Sequence, residues 1–293
     1  MKILITGVNG FLGQFLATTL LAKEHTVVGL GRKASCLVGG VEYISGSVLD
    51  KEAVGKAMEG VDAVVHLAAL TAHADIIDNK FDTLQINLLG TKNVLDVMRE
   101  KQVKKFLYAS TGKVYGEISS LPITEEHVTK PLNVLGRSKL LTENLINFYS
   151  SGSEFVIFRI FNVYGPKQKD NFLVPTILSQ LREGESEITL GDISAQRDYT
   201  YVDDVIKAFV LALEKQFDKE IQVFNICSGR GASAKEIVDI IGKHKEREII
   251  VHVNSALIRK DEKDVEYGSF AKAQEVLGWK PTICLEEGLG KLL

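Results

Sequence analysis

The first thirteen residues constrain this chain more than any other stretch. Lys2-Ile3-Leu4-Ile5-Thr6 is an apolar run of strand length, and it leads directly into Gly7, Gly10 and Gly13, spaced three apart. A helical pattern follows over Phe11–Ala22. Strand, glycine turn and helix N-terminus together make a phosphate cradle. Glycines let backbone approach a pyrophosphate closely, and the helix start supplies N–H groups and a positive dipole end. Gly7, Gly10, Phe11, Leu12 and Gly13 are therefore candidate dinucleotide contacts, because the glycines stand in the strand-to-helix context the motif requires. Their spacing, Gly7-x-x-Gly10-x-x-Gly13, differs from G-x-G-x-x-G.

The first half of the chain alternates strand and helix. After the glycine turn, strands are expected at His25–Leu30, Val41–Ile44, Ala63–Leu67, Lys105–Ala109 and Phe155–Phe161. Helices are expected at Lys51–Met58, Thr83–Lys101 and Arg137–Tyr149. The strands are continuous apolar runs, as when both faces of a parallel sheet are covered. This predicts an α/β fold with a doubly wound parallel sheet. After Gly165-Pro166 the texture changes: helices are expected at Asn171–Glu183 and Val202–Lys215, strands at Ile188–Leu190 and Val223–Ile226, and short helices beyond Gly229. The expected organisation is a dinucleotide-binding domain over 1–165, with 198–227 returning to it. A smaller substrate-binding lobe would comprise 166–197 and 228–293, covering the crevice at the carboxyl ends of the strands.

Composition excludes several classes. The net charge of −3 gives no pull toward nucleic acid or an anionic membrane. No apolar run reaches the ~20 residues that span a bilayer, and the N-terminus lacks the pattern of a signal peptide. Cys36, Cys227 and Cys284 are scattered and odd in number. That fits a reducing cytoplasm rather than a disulfide framework. The six histidines show no metal-ligand spacing.

The end of the second strand selects between cofactors. A carboxylate there would bond the adenosine ribose, whereas an arginine accommodates a 2′-phosphate. Gly29-Leu30-Gly31-Arg32-Lys33 carries no acid, so Arg32 and Lys33 favour NADP over NAD. The alternative for both is an exposed basic loop.

Further motifs recur in order: His66-Leu67-Ala68-Ala69, Asn87-x-x-Gly90-Thr91, Ala109-Ser110-Thr111-x-x-Val114-Tyr115-Gly116, Arg159-x-Phe161-Asn162-Val163-Tyr164-Gly165-Pro166, Arg197-Asp198-Tyr199-x-Tyr201-Val202-Asp203-Asp204-Val205 and Leu277-Gly278-Trp279-x-Pro281. With the glycine turn, they make the chain resemble, over nearly its whole length, the extended short-chain dehydrogenases/reductases that act as nucleotide-sugar epimerases and dehydratases. The resemblance implies an NAD(P)-dependent, cytoplasmic enzyme that carries a nucleotide-diphosphate sugar through a 4-keto intermediate. It also implies a homodimer, built on helices Thr83–Lys101 and Arg137–Tyr149. Leu67, Ala68, Ala69 and Asn87 would border the cofactor. Thr111 would bond the sugar hydroxyl being oxidised, and Lys139 the nicotinamide ribose. Asn162, Arg197 and Arg259 match positions that hold the nucleotide diphosphate, a role suited to bidentate arginine. Arg197 has a salt bridge to Asp198 or Asp203 as its alternative, and Arg259 a place in the solvated charge run Arg259–Asp264.

The pattern breaks at one position. Family members pair Lys139 with a tyrosine four residues earlier, whose phenol exchanges the proton. Here that residue is Leu135, which has no proton to exchange. Three readings stand. Lys113 could serve as the base, as in inverting 4,6-dehydratases with Thr-Asp-Lys, although Gly112 replaces their Asp and Lys113 could be a surface lysine. Tyr115 or a substrate group could replace the phenol, although packing against substrate suits Tyr115 better. Or the chain binds cofactor and nucleotide sugar with weak or no turnover.

Overall fold

The computed structural model describes residues 1–71, 80–150, 152–181, 185–258 and 265–293. The first half runs β1 (Lys2–Thr6), α1 (Phe11–Ala22), β2 (Thr26–Gly31), β3 (Glu42–Ser45), α2 (Lys51–Ala57), β4 (Ala63–His66) and α3 (Lys80–Leu84). A π turn (Gln85–Leu89) joins α3 to α4 (Gly90–Glu100). Then come β5 (Lys105–Thr111), a 3₁₀ turn (Gly112–Val114), α5 (Val134–Asn147), β6 (Glu154–Ile160) and β7 (Asn162–Tyr164). The second half holds α6 (Leu173–Gln180), β8 (Glu187–Leu190), β9 (Gln196–Tyr201), α7 (Val202–Glu214), β10 (Ile221–Ile226) and β11 (Gly231–Ser233). It ends with α8 (Ala234–His244), β12 (Ile250–Val253), β13 (Val265–Glu266) and α9 (Leu285–Gly290).

Seven strands form one parallel sheet in the order β10-β6-β5-β4-β1-β2-β3. The order reverses beside β1, as in a doubly wound Rossmann-like fold. Side chains alternate across the sheet. Ile3 and Ile5 join a core with Leu16 and Leu20 of α1 and Val205 and Phe209 of α7. Leu4 joins the opposite core with Val54 of α2 and Val94 and Met98 of α4. Both faces are covered, which is why β1 and β4 read as unbroken apolar runs.

The second half adds a lobe at the carboxyl ends of these strands. There β9 pairs with β7, β11 and β13, and β12 pairs with β8. Two buried aspartates tie it together. Asp198 accepts backbone N–H groups from Ser228 (2.6 Å), Gly229 (3.0 Å) and Gly268 (3.3 Å). Asp204 accepts from the Thr282 hydroxyl (2.6 Å) and from the Thr282 and Ile283 N–H groups (2.9 Å each). The Asp204 carbonyl accepts the Trp279 indole N–H at 2.7 Å.

Several expectations need correction. The single helix expected over Thr83–Lys101 is interrupted by the π turn, whose wider winding turns Asn87 inward. The helix expected over Asn171–Glu183 is described only as Leu173–Gln180, with Pro175 in its first turn, where a missing N–H costs nothing. The tail is not all short helices: α8 has 11 residues and is capped by Ser233, whose hydroxyl accepts from Glu236 N–H. Strand β9 lies between the expected strand Ile188–Leu190 and the expected helix Val202–Lys215, a stretch the sequence pattern leaves without an element. The charge run Arg259–Asp264 lies outside the described residues.

Candidate active site

The glycine turn is closed by contacts that admit no side chain. Gly7 adopts φ +72°, and a Cβ there would lie 2.8 Å from Ala68 N. A Cβ on Gly13 would lie 2.4 Å from the Gly7 carbonyl oxygen. The N-cap of α1 is Gly10, with no side-chain cap and no acid in the first turn. The helix therefore presents its first N–H groups to whatever lies beyond the turn, the arrangement an anion fills. These features fit a dinucleotide pyrophosphate.

The loop after β4 forms the neighbouring wall. His66 is fully buried between Thr6 and Thr91. Thr91 Oγ1 donates to the Asn87 carbonyl (2.6 Å), so it must accept from His66 Nε2–H (2.9 Å). His66 Nδ1 then accepts from Thr6 (2.7 Å), which in turn receives the Ala68 N–H (3.2 Å). Burial, with a smaller contribution from Lys139, lowers the His66 pKa to about 3, so the ring is neutral and one tautomer is fixed. Asn87 exchanges two hydrogen bonds with the Leu70 backbone (2.8 and 3.1 Å) and donates to Ser138 Oγ (3.0 Å). Asn87 thus positions the half-buried Leu67, Ala68 and Ala69 wall against α5.

At the end of β2, Arg32 and Lys33 are exposed. Their loop is held to the glycine turn by Asn9, which donates to the Ser35 carbonyl (3.0 Å) and accepts from Leu37 N–H (2.8 Å). The Tyr43 hydroxyl lies 2.7 Å from the Lys33 carbonyl.

The end of β5 and the start of α5 make the reactive corner. Along β5, Ser110 turns inward and donates to buried Glu143, which also pairs with Arg159 (2.8 Å). Thr111, the next residue, faces the other way and accepts the Lys113 N–H at 3.2 Å. Lys139 is buried, donates to the Ala109 carbonyl (2.6 Å) and stands 4.6 Å from the Tyr108 ring centre. Burial lowers its pKa to about 7, with Glu143 opposing the shift. Leu135 is one helical turn before Lys139 on the same face, half-buried. Residue 136 must be small: a Cβ on Gly136 would lie 2.4 Å from the Lys113 carbonyl oxygen. That contact brings Lys113 against the first turn of α5. The Lys113 ammonium bonds Glu266 of β13 at 2.9 Å.

Tyr115 is placed otherwise than expected. It is 1% exposed, donates to Asn225 Oδ1 (2.6 Å) and lies beneath the Arg159 guanidinium (4.9 Å to the ring centre). Burial raises the pKa of its phenol. Held this way, its hydroxyl is committed inside the protein, and serving in place of the phenol missing at 135 would require breaking the Asn225 bond. Gly112 packs on Phe161: a Cβ at 112 would lie 3.2 Å from three ring carbons. A side chain at 112 would require the ring to give by a few tenths of an ångström.

Asn162 donates to the Asp198 carbonyl at 3.2 Å, and buried Arg197 donates to the Gln196 carbonyl at 2.8 Å. They stand on paired strands β7 and β9. Arg259 lies outside the described residues. Sequence reasoning missed Glu266, Glu143 and the two clamping aspartates. Asp198 and Asp204 lay within a recognised motif, but nothing in the sequence marked Glu266 as a neighbour of Lys113.

A parallel sheet opening onto a glycine turn, with a threonine and a buried lysine at the next crossover, defines a short-chain dehydrogenase/reductase. More narrowly, residues 3–227 match the NAD dependent epimerase/dehydratase family, and the chain belongs to that family. A putative UDP-glucose 4-epimerase of Methanocaldococcus jannaschii is 32% identical, covering 99% of this chain and 97% of its own. A GDP-6-deoxy-D-mannose reductase of Pseudomonas aeruginosa is 31% identical, over 100% and 96%. Among solved structures, the UDP-glucose 4-epimerase of Thermus thermophilus in complex with NAD superposes with a TM-score of 0.88 at 29% identity, covering 99% of this chain and 97% of that one.

Proposed function

We propose that this protein is an NAD(P)-dependent enzyme that epimerises a nucleoside-diphosphate hexose at C4 through a 4-keto intermediate. The observation that carries the reading is the corner between the end of β5 and the start of α5, where Thr111 accepts the Lys113 N–H, the Lys113 carbonyl packs on Gly136 and Lys139 bonds the Ala109 carbonyl. When bound, the dinucleotide supplies a reversible acceptor for the hydrogen on the sugar carbon. The chain's own part is to cradle the phosphates at Gly7–Gly13, to bond the C4 hydroxyl with Thr111 and to set Lys139 against the ribose. Asn162 and Arg197 hold the diphosphate. The relatives named as 4-epimerases support the outcome. Gly112 in place of the Asp weighs against 4,6-dehydration through a Thr-Asp-Lys triad. The exposed Arg32 and Lys33, with no acid at the end of β2, support a preference for NADP, although the family is NAD-dependent.

One observation favours a second reading, a binding protein with little turnover: Leu135 stands where the phenol should be. The test is to incubate the protein with UDP-glucose and UDP-galactose in D2O with either dinucleotide. Interconversion without deuterium at C5 is expected, and uptake at C5 would mean dehydration instead. Tight binding without conversion would establish the second reading.

A further inference from the structure

The missing phenol leaves a proton without an acceptor, and the structure limits which groups can take it. Leu135 has none, and Tyr115 is buried and committed to Asn225. Lys139 gives a hydrogen bond to the Ala109 carbonyl and, in the reading above, is set against the ribose rather than the sugar hydroxyl. Ser110 and Glu143 face the interior with Arg159. Among the described residues of this corner, the remaining ionisable pair is Lys113 and Glu266. Lys113 belongs to the tight turn that begins at Thr111 Oγ1, and its carbonyl touches Gly136, the residue after Leu135. Glu266 comes from the other side of the crevice. It lies on β13, opposite Arg197 of β9, and its side chain is only 12% exposed. Its Oε2 is 2.9 Å from Lys113 Nζ. A carboxylate held this far out of water, on a lysine beside the sugar-facing threonine, is an arrangement suited to passing a proton.

We propose that Glu266, acting through Lys113, is the proton acceptor that stands in for the absent phenol. The inference rests on the 4-keto reading above. Lys113 Nζ first gives a proton to Glu266 Oε2, which leaves a neutral amine beside a neutral acid; the amine's lone pair then takes the proton of the C4 hydroxyl as the sugar is oxidised. Lys113 ends with three protons, Glu266 holds the extra proton as a neutral acid, and the hydrogen on C4 leaves with its electron pair to the family's dinucleotide. The return step runs the same transfers backwards. Glu266 is thus a positioning and proton-holding residue, with Lys113 as the group that meets the sugar.

The test uses the full chain with four changes: Glu266→Gln, Glu266→Asp, Lys113→Met and Leu135→Tyr. In lysine-¹⁵N-labelled protein without sugar, the Lys113 ammonium should give a slowly exchanging resonance, absent in Lys113→Met and lost in Glu266→Gln. With UDP-hexose, Glu266→Gln should lower the rate of cofactor reduction by about 100-fold or more, a usual loss for an acid–base group, while dinucleotide binding and melting temperature hold. Lys113→Met should lose a similar factor, and the double variant no more than either. Glu266→Asp should keep part of the rate. Leu135→Tyr should restore most of it in the Glu266→Gln background, because a phenol beside Lys139 takes the proton instead. An unchanged rate in Glu266→Gln, or no rescue by Leu135→Tyr in protein that still binds cofactor, overturns the relay while leaving the epimerase reading intact. A wild-type protein that binds but never reduces its cofactor overturns the reading on which the relay rests.

Discussion

Lys139 shows how one residue carries both the site and a cost in stability. Its native pKa of about 7 lies below the model-peptide value of 10.5, because burial disfavours the ammonium. Between those two values the unfolded chain binds more protons than the folded one, so stability must rise as pH increases through that window. The expected gain without cofactor is about 2 kcal/mol from pH 7 to pH 9. Lys139→Met should lack that rise, which urea melts of both proteins at several pH values would reveal; parallel pH dependences would contradict the burial described. At this scale the sequence was legible wherever chemistry is local. Gly7 and Gly13 were legible because their spacing within one strand-to-helix turn is itself the signal, whereas Thr111 and Lys139 were expected only through the resemblance. The placing of Tyr115 was not legible, because its partners Asn225 and Arg159 arrive from strands β10 and β6. Glu266 was invisible for the same reason.

Among the elements, α7 depends on residues far along the chain. Its first-turn Asp204 bonds the Thr282 and Ile283 backbone, and its carbonyl anchors Trp279, the only tryptophan in the sequence. Asp204→Ala leaves two part-buried N–H groups and a hydroxyl without their acceptor, at an expected cost of about 2 kcal/mol. Because Trp279 is fully buried, its emission reports this docking directly. In Asp204→Ala the emission should shift to the red at lower denaturant concentration than the far-ultraviolet helical signal is lost. Coincident transitions near the wild-type midpoint would show that the clamp contributes little. Strands β1, β4 and β5 were readable because burial on both faces demands apolar runs. Of the lobe strands, β8 was readable as the short run Ile188–Leu190, and the others were not. Strand β9 reads Gln-Arg-Asp-Tyr-Thr-Tyr, and β11 and β13 have three and two residues. Their strand character comes from partners distant in sequence, not from any period of their own. The π turn was hidden likewise, since the partners of the Asn87 it turns inward, Leu70 and Ser138, are distant in sequence.

For the whole molecule, the paired helices α3–α4 and α5 leave large apolar side chains uncovered. Phe81 is 87% and Phe148 86% exposed, with Leu89 and Leu141 near half. Large apolar side chains left uncovered on neighbouring helices favour a partner, and a second copy bringing the same helices is the partner we propose. Sedimentation should give twice the chain mass of 32.3 kDa, and Leu141→Asp with Phe148→Asp should give a single copy that still binds dinucleotide. A wild-type protein that sediments as one copy refutes the pairing. The doubly wound sheet was foreseeable from the alternation of the first half alone, whereas the joining of the lobe to it was not.

That joining also sets an order of events during synthesis. Strand β9 waits for β13, Asp198 for Gly268, and Asp204 for Ile283. A ribosome-bound chain made only as far as β10 would already carry every strand of the central sheet, yet Asp204 of α7 would have no Thr282 or Ile283 to bond. Until β13 and Ile283 emerge, the nascent protein holds a finished central sheet and an open lobe. Its exposure to aggregation is concentrated in that interval.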